Sequence, residues 1–148
     1  MPESLKKQIH DVYGHRIRLR ACGCLVHEGK ILMLRHREIG ELGYFWNVPG
    51  GEPLAKESLK KAVEREFWEE AKLEVKAGKF LCLQEYIAPP LHAVEIYFEV
   101  SAENNEASLG FDPENVPLLD ELRWFDSTEF DALPNQAKPL FLRKIIGF

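Results

Sequence analysis

Residues 58–71 read Ser-Leu-Lys-Lys-Ala-Val-Glu-Arg-Glu-Phe-Trp-Glu-Glu-Ala, and this stretch decides the fold prediction. It begins with serine, a preferred N-cap residue, and continues with helix-forming residues, so it predicts a helix over this range. At about 100° per residue, Leu59 and Val63 mark the inward face. Glu66 and Glu70 fall in the middle of that face, where a helix of a folded domain normally carries apolar side chains. The stretch therefore predicts a helix that buries acidic groups.

Buried carboxylates need positive charge opposite them, because an unpaired buried carboxylate is strongly disfavoured. One interpretation of Glu66 and Glu70 is an internal salt-bridge network with Arg65 or a more distant arginine. Glu57 before the helix and Glu69 at the edge of its inward face add further negative charge. One arginine does not compensate three or four converging carboxylates, whereas hard divalent cations with oxygen ligands do. The second interpretation is therefore a site for Mg²⁺ or Mn²⁺, which would also let an acidic site accept a polyphosphate.

The spacing of these residues resembles a known motif. Gly51 is followed after five residues by Glu57, and after seven more by Arg-Glu-Phe-Trp-Glu-Glu-Ala-Lys-Leu at 65–73. This pattern closely resembles the Nudix box, in which a glycine, a glutamate and an Arg-Glu-x-x-Glu-Glu core stand in the same register. The second glycine of the box is replaced by Lys72. The residues 47–51, Asn-Val-Pro-Gly-Gly, are also typical of the segment before the box.

The resemblance implies an α+β fold of the Nudix type, an α/β/α sandwich with a mixed β-sheet between helices, as one domain over residues 1–148. It also implies hydrolysis of a nucleoside diphosphate linked to another group, with Mg²⁺ or Mn²⁺ as cofactor. The substrate expected first is a (d)NTP or a similar small nucleotide. ADP-ribose or a nucleotide sugar is the alternative, and a non-catalytic nucleotide-sensing Nudix module is the second alternative.

By position in the motif, the resemblance assigns the metal to Glu66, Glu69 and Glu70. Glu69 or Glu70 would also help to activate the attacking water. Glu57 is similar to the family's supporting carboxylate. Arg65 is similar to the arginine that orients a glutamate through a charge-assisted hydrogen bond. These five residues form the predicted catalytic set.

Gly51 is expected to let the backbone bend closely around the metal site. In the Nudix family the general base can also come from outside the box, so Glu114 and Glu121 are further candidates. Lys72 is the departure from the motif. A lysine there either adopts the left-handed conformation at a cost of about 1 kcal/mol or requires a rebuilt turn, and neither removes a metal ligand.

Candidate substrate-binding residues lie before the box. Trp46, Tyr44 and Phe45 offer aromatic faces for a nucleobase, although core packing next to a loop is the alternative for Phe45 and Trp46. Arg35 and Arg37 end a predicted hairpin close to where the family binds phosphate, and a solvated charge cluster is the alternative for them. The nucleobase and leaving group depend on loops such as 36–46 and 102–120.

The remaining chain predicts strands before and after the box helix. This order differs from the strand–helix alternation of a doubly wound sheet and favours an α+β mixed sheet. The predicted elements are a hairpin of strands 17–26 and 31–34 with a turn at Glu28-Gly29, strands at 79–87, 92–101 and 121–125, a short helix at 127–133 and an amphipathic terminal helix at 137–146.

Composition limits the function classes further. The chain has 148 residues and a net charge of −5, which suits one domain and argues against binding a nucleic acid polymer. Its apolar runs are too short to cross a membrane, and its first residues lack the apolar region of a secretory signal, so we expect a cytoplasmic protein. Its three cysteines are expected to be buried thiols. The sequence leaves open whether the protein forms a homodimer, because no segment has the pattern of an interface.

Overall fold

The computed structural model describes residues 4–111 and 116–148, and in these ranges seven strands form one connected sheet. The main path runs β3-β2-β1-β6-β5, with β4 paired to β1 and β7 paired to β2. The strands are β1 Arg18–His27, β2 Lys30–Arg37, β3 Tyr44–Asn47, β4 Gly50–Gly51, β5 Lys76–Ala88, β6 Leu91–Ser101 and β7 Leu119–Phe125.

The predicted hairpin is confirmed, and it divides the sheet into two halves. Glu28 and Gly29 have φ values of 52° and 75°, the left-handed values that a tight two-residue turn between twisted strands requires. Beyond the turn β1 and β2 pair at only two positions before they diverge. β2 continues antiparallel between β3 and β7, while β1 runs parallel to β6 over eight residue pairs. The sheet is therefore mixed, as predicted.

Helices cover both faces of this sheet. The helix α2 (Leu59–Ala71) packs on one face so closely that a Cβ on Gly23 of β1 would lie 2.5 Å from Phe67. On the other face, Phe130 and Leu142 join the core around Phe125. These two residues belong to α3 (Ser127–Ala132) and α4 (Leu142–Ile145), and the result is the expected α/β/α sandwich. None of the helices within the described ranges has the length and hydropathy needed to cross a membrane.

The predicted terminal helix over 137–146 is confirmed only in part, because the helix is much shorter. Only α4 and a 3₁₀ turn, Asn135–Ala137, form there. Lys138 explains the break, because its buried ammonium donates to the carbonyl oxygens of Phe130 and Asp131 at 2.7 and 3.1 Å. These bonds hold the backbone of Lys138 extended, with φ −152° and ψ 155°, which a continuous helix does not allow.

An N-terminal helix, α1 (Leu5–Tyr13), was not predicted. Ser4 caps it by accepting a hydrogen bond from the Lys7 amide at 3.2 Å. Ile9 and Tyr13 form its buried face and pack against β6 and the segment before β7. The capping serine and the spacing of these apolar residues are a helix signal that the sequence does contain.

Candidate active site

The box helix buries its acidic face as predicted. Ser58 caps α2 by accepting a hydrogen bond from the Lys61 amide at 3.1 Å, which fixes where the helix starts. From that start, Glu66 and Glu70 reach the inner face and are only 1% and 4% exposed. Glu69 lies at the edge of this face with 16% of its side chain exposed. One helix face therefore carries three carboxylates at i, i+3 and i+4.

Arg65 connects this cluster. Its Nε and Nη2 donate to both oxygens of Glu57 at 2.9 and 3.0 Å, and its Nη1 donates to Glu66 Oε1 at 3.0 Å and Glu69 Oε2 at 3.2 Å. Nη2 also donates to the Glu52 carbonyl oxygen at 3.1 Å. The hydrogen bond from Arg65, aided by its charge, lowers the pKa of Glu57. The arginine thus ties the start of the box to the metal-ligand candidates.

The two glycines of β4 form the opposite wall of the cluster. A Cβ on Gly51 would lie 2.4 Å from Glu66 Oε1, so only glycine lets the carboxylate approach this closely. The Gly50 amide donates to Glu70 Oε1 at 3.0 Å. Because β4 pairs with β1, the middle strand of the main path, these contacts fix the acidic helix face relative to the centre of the sheet.

The carboxylates have the right chemistry for a hard divalent cation. Carboxylate oxygens are the ligands that Mg²⁺ and Mn²⁺ prefer, and Gly51, which has no side chain, lets the Glu66 carboxylate lie directly against β4. Within residues 4–111 and 116–148, however, no three His, Cys, Asp or Glu side chains are already arranged to hold a metal ion. Arg65 binds Glu66 and Glu69, while the Gly50 amide binds Glu70. Metal binding would therefore require these side chains to exchange partners.

Lys72 adopts the left-handed conformation, one of the two outcomes expected from the sequence, with φ 55° and ψ 36°. The Lys72 amide donates to the Trp68 carbonyl oxygen at 3.2 Å, the bond of a helix end that is usually closed by glycine. The Lys72 ammonium lies 5.9 Å from the Trp68 ring centroid and 5.7 Å from that of Phe111. The turn is thus kept without glycine, and none of the box carboxylates is displaced.

The segment after β6 also closes the end of α2. The amides of Ser108, Gly110 and Phe111 donate to the last three carbonyl oxygens of the helix at 3.0, 2.8 and 3.0 Å. A Cβ on Gly110 would lie 1.9 Å from the Glu69 carbonyl oxygen, so glycine is required at this crossing. The predicted functional loop 102–120 therefore supports the helix that carries the cluster.

A pocket of about 870 Å³, counting the solvent at its mouth, opens beside the cluster. Gly50, Gly51 and Glu70 form the end next to the box. Residues from both predicted specificity loops also line it. The apolar and aromatic lining consists of Tyr13, Ile39, Phe45, Tyr86, Leu91, Ala93, Phe111, Val116, Pro117, Leu118 and Leu119.

Buried polar groups form one side of the pocket. Arg20 pairs with Glu95 and donates to the Gly50 carbonyl oxygen at 3.2 Å. Tyr97 donates to the other oxygen of Glu95 at 3.0 Å. Burial, and next the charge of Arg20, lowers the pKa of His36 to about 3, so His36 is neutral at pH 7. Arg18 lies on the same strand face, two residues before Arg20.

Trp46 does not lie in this pocket. Its side chain belongs to the core around Phe125, with the two rings 4.9 Å apart in an edge-to-face contact, and it is 3% exposed. β3 directs it to the sheet face opposite Phe45, because successive strand residues point to opposite faces. Of the two interpretations of Trp46, the structure favours core packing, and we do not retain it as a substrate ligand.

The hairpin arginines and Tyr44 also do not line the pocket. Arg35 pairs with Asp120 at 2.7 Å and lies 4.5 Å from the Tyr44 ring centroid. Arg37 donates to the Pro117 carbonyl oxygen at 2.9 Å, so it supports a loop that lines the pocket. These contacts favour the surface-charge interpretation of both arginines.

The two candidate bases outside the box have different outcomes. Glu114 lies outside the described residues. Glu121 is on β7 opposite Arg35, with 48% of its side chain exposed and Arg123 at 3.9 Å, and it does not line the pocket. The geometry of the described residues therefore places Glu70 of the box, not Glu121, at the pocket.

The sequence analysis missed the polar residues of the pocket. Arg18 and Arg20 alternate with Leu19 and Ala21 in a strand that is otherwise apolar, and Glu95 interrupts the apolar positions of β6. Two cations and one anion on adjacent strands are the signal that could have identified them. The register that places Arg20 directly opposite Glu95 is visible only in the folded structure.

Comparison with known proteins agrees with this geometry. A model of the NUDIX domain matches residues 17–144. Phosphatase NudJ from Escherichia coli strain K12 is 29% identical over 124 residues, which are 82% of this chain and 77% of NudJ. The fold is similar to the MutT protein from Methanosarcina mazei Go1 (TM-score 0.69, 21% identity, 88% and 91% of the two chains). It is also similar to a MutT NUDIX hydrolase from Burkholderia pseudomallei (TM-score 0.60, 26% identity, 82% and 89%). The chain therefore belongs to the Nudix hydrolase family, whose members are pyrophosphohydrolases.

Proposed function

We propose that this enzyme hydrolyses the pyrophosphate linkage of a nucleoside diphosphate joined to a further group, with a (d)NTP or a similar small nucleotide as substrate. The observation that carries the proposal is the position of Glu70. It belongs to the acidic face of α2 and also lines the pocket, so the carboxylate cluster opens directly onto a concave site with aromatic and polar walls.

Glu66, Glu69 and Glu70 would hold Mg²⁺ or Mn²⁺, with Gly51 allowing the close approach of the Glu66 carboxylate to β4. Such an ion neutralises charge on phosphate oxygens and makes bound water more acidic. Arg65 holds the carboxylates of Glu66 and Glu69 in position through its hydrogen bonds. In the reaction, water adds its oxygen to one phosphorus while the bond from that phosphorus to the bridging oxygen breaks. Glu69 or Glu70 accepts the proton of the water.

The rest of the pocket suits the nucleoside part of the substrate. The rings of Phe45 and Tyr86 lie 5.0 Å apart on its wall and offer aromatic surface for a base. Burial, and next the charge of Glu95, raises the pKa of Tyr86 to about 12, so its hydroxyl keeps its proton and can donate a hydrogen bond. A base recognised there would leave its phosphates near Gly51.

The test is product release from a substrate panel of (d)NTPs, ADP-ribose, nucleotide sugars and dinucleoside polyphosphates, each with Mg²⁺, with Mn²⁺ and with EDTA. We expect metal-dependent cleavage of the (d)NTPs. Faster cleavage of ADP-ribose or a nucleotide sugar would contradict the proposed substrate class but agree with the proposed reaction. No cleavage of any compound, together with stabilisation of the fold by nucleotide, would replace the enzyme with a nucleotide sensor.

A further inference from the structure

Arg18 is a buried cation without a hydrogen-bonding partner. Only 11% of its side chain is exposed, yet its guanidinium makes no hydrogen bond to any residue in 4–111 or 116–148. It stacks 3.9 Å above the Tyr13 ring, and the nearest carboxylate oxygen of the described residues, on Glu52, lies 3.8 Å from Nε. A guanidinium has five N–H donors, and leaving them unsatisfied in a buried place is costly.

The charges around Arg18 are already matched to other groups. Glu95 pairs with Arg20. Glu52 accepts two hydrogen bonds from Arg16, at 2.5 and 3.1 Å, which hold its carboxylate toward the surface. Burial, and next the charge of Arg20, lowers the pKa of Arg18, as expected for a cation without a bound anion. The pocket therefore carries one positive charge for which this part of the chain supplies no hydrogen-bonded counter-charge.

Arg18 also lies close to the proposed reaction centre. It points to the same face of β1 as Arg20, and both line the pocket. Ala21 of the same strand is paired with Gly51, which places Arg18 about 10 Å along the strand from the Gly51 cradle. The residue after Gly51 is Glu52, whose side chain reaches Arg18. A polyphosphate bound at Gly51 thus has an arginine within reach at its far end.

We propose that Arg18 is a specificity-determining residue that binds a phosphate of the substrate outside the scissile linkage. The planar fork of arginine matches phosphate oxygens in a bidentate arrangement. A third phosphate would supply the missing counter-charge and acceptors, whereas a neutral hexose or ribose would leave the guanidinium unmatched. The enzyme consequently prefers nucleoside triphosphates to nucleoside diphosphate sugars. This inference rests on the proposed function, because it assumes that the substrate is a nucleotide bound with its scissile linkage near Gly51.

The test compares Arg18→Gln and Arg18→Lys with Arg143→Gln, a control that removes an exposed arginine paired with Asp131 and not among the residues that line the pocket. The rate constant kcat/KM is measured for a nucleoside triphosphate and for a nucleoside diphosphate hexose with the same base. We expect Arg18→Gln to lower the ratio of the two constants by about 10- to 100-fold, mostly through KM. Arg18→Lys keeps the charge but loses the fork, so it should lower the ratio less. The control should leave the ratio unchanged.

A binding measurement separates this inference from the hydrolase proposal. Calorimetry with an α,β-methylene nucleoside triphosphate reports affinity without turnover, and thermal denaturation confirms that each variant is folded. Arg18→Gln should weaken this binding by at least tenfold. Hydrolysis of triphosphates with an unchanged ratio in both Arg18 variants would overturn the inference and leave the function standing. Absence of hydrolysis, with analogue binding that still depends on Arg18, would overturn the function and leave the anion site standing.

Discussion

Arg65 and Arg18 are both largely buried beside the active site, yet they have opposite surroundings. Arg65 donates hydrogen bonds to three glutamate side chains and one carbonyl oxygen. Arg18 donates none within the described ranges and rests on the face of Tyr13. The difference shows how the same residue type serves two purposes. A matched arginine fixes the geometry of its neighbours, whereas an unmatched one is ready to receive an anion.

The source of the difference is local. Arg65 shares its helix with Glu66 and Glu69, so two of its partners are supplied by spacing along one element. Arg18 sits on a strand whose neighbours across the sheet are Ala93 and, two residues on, the Glu95 that Arg20 already binds. The partner of Arg18 must therefore come from outside the sheet.

The largest effect is expected from removing one of the carboxylates that accept hydrogen bonds from Arg65. Glu69→Gln keeps the size of the side chain but removes a proposed metal ligand, so we expect kcat to fall by about 10²- to 10⁴-fold. Glu64→Gln is the matched control, because Glu64 lies on the same helix and instead accepts a hydrogen bond from the Ala77 amide at 3.0 Å. Steady-state hydrolysis measures both. Full activity of Glu69→Gln would show that the cluster on α2 is not the reaction centre.

The second test compares the two arginines directly by stability. Arg65→Gln leaves several carboxylates without their common partner and should lower the free energy of unfolding by about 3 kcal/mol. Arg18→Gln removes a buried charge that has no hydrogen bond, so its effect should stay within about 1 kcal/mol of zero. Urea denaturation of both variants at pH 7 without nucleotide gives the two values. Equal destabilisation would mean that Arg18 has a structural role comparable with that of Arg65.

The pH dependence of stability sharpens the account of Arg65. Its hydrogen bonds lower the folded-state pKa of Glu57 below the ordinary value of 4.5. A lowered pKa contributes stability above the unfolded-state value, and that contribution is lost as pH falls through the folded-state value. The stability difference between wild type and Glu57→Gln should therefore be constant above about pH 5 and shrink below it. Urea midpoints between pH 3 and pH 7 measure the difference, and a pH-independent gap would contradict this role of Glu57.

The smallest effect on stability and turnover is expected at Lys72, which replaces the second glycine of the box. Lys72→Gly relieves the cost of a left-handed lysine, about 1 kcal/mol, but removes the contacts of the ammonium with Trp68 and Phe111. We expect a change in stability within about 1 kcal/mol and turnover within severalfold of wild type. Thermal denaturation and kcat check both numbers. A hundredfold gain in kcat would show that the lysine turn misplaces the glutamates of α2.

Local pattern explains what could be predicted. The helix over 58–71 and the burial of Glu66 follow from periodicity of a single element, and the hairpin at Glu28-Gly29 follows from a two-residue turn. Predictions failed where a distant contact overrides the local signal. Lys138 interrupts a predicted helix by bonding to carbonyl oxygens of α3. The sequence left two interpretations of Trp46 open, and its contact with Phe125, distant in the chain, favours core packing.

The sequence by itself determined the chemistry of this protein, because the spacing from Gly51 to Glu70 places the acidic residues on one face of one helix. The tertiary structure alone decided what surrounds that chemistry. The pocket joins β1, β6, α1 and the segment before β7, which are far apart in the chain. The register of β1 against β6 decides which arginine, Arg18 or Arg20, forms the ion pair with Glu95. Hydrogen bonds across a sheet are set by strand pairing, and a single sequence does not reveal that pairing.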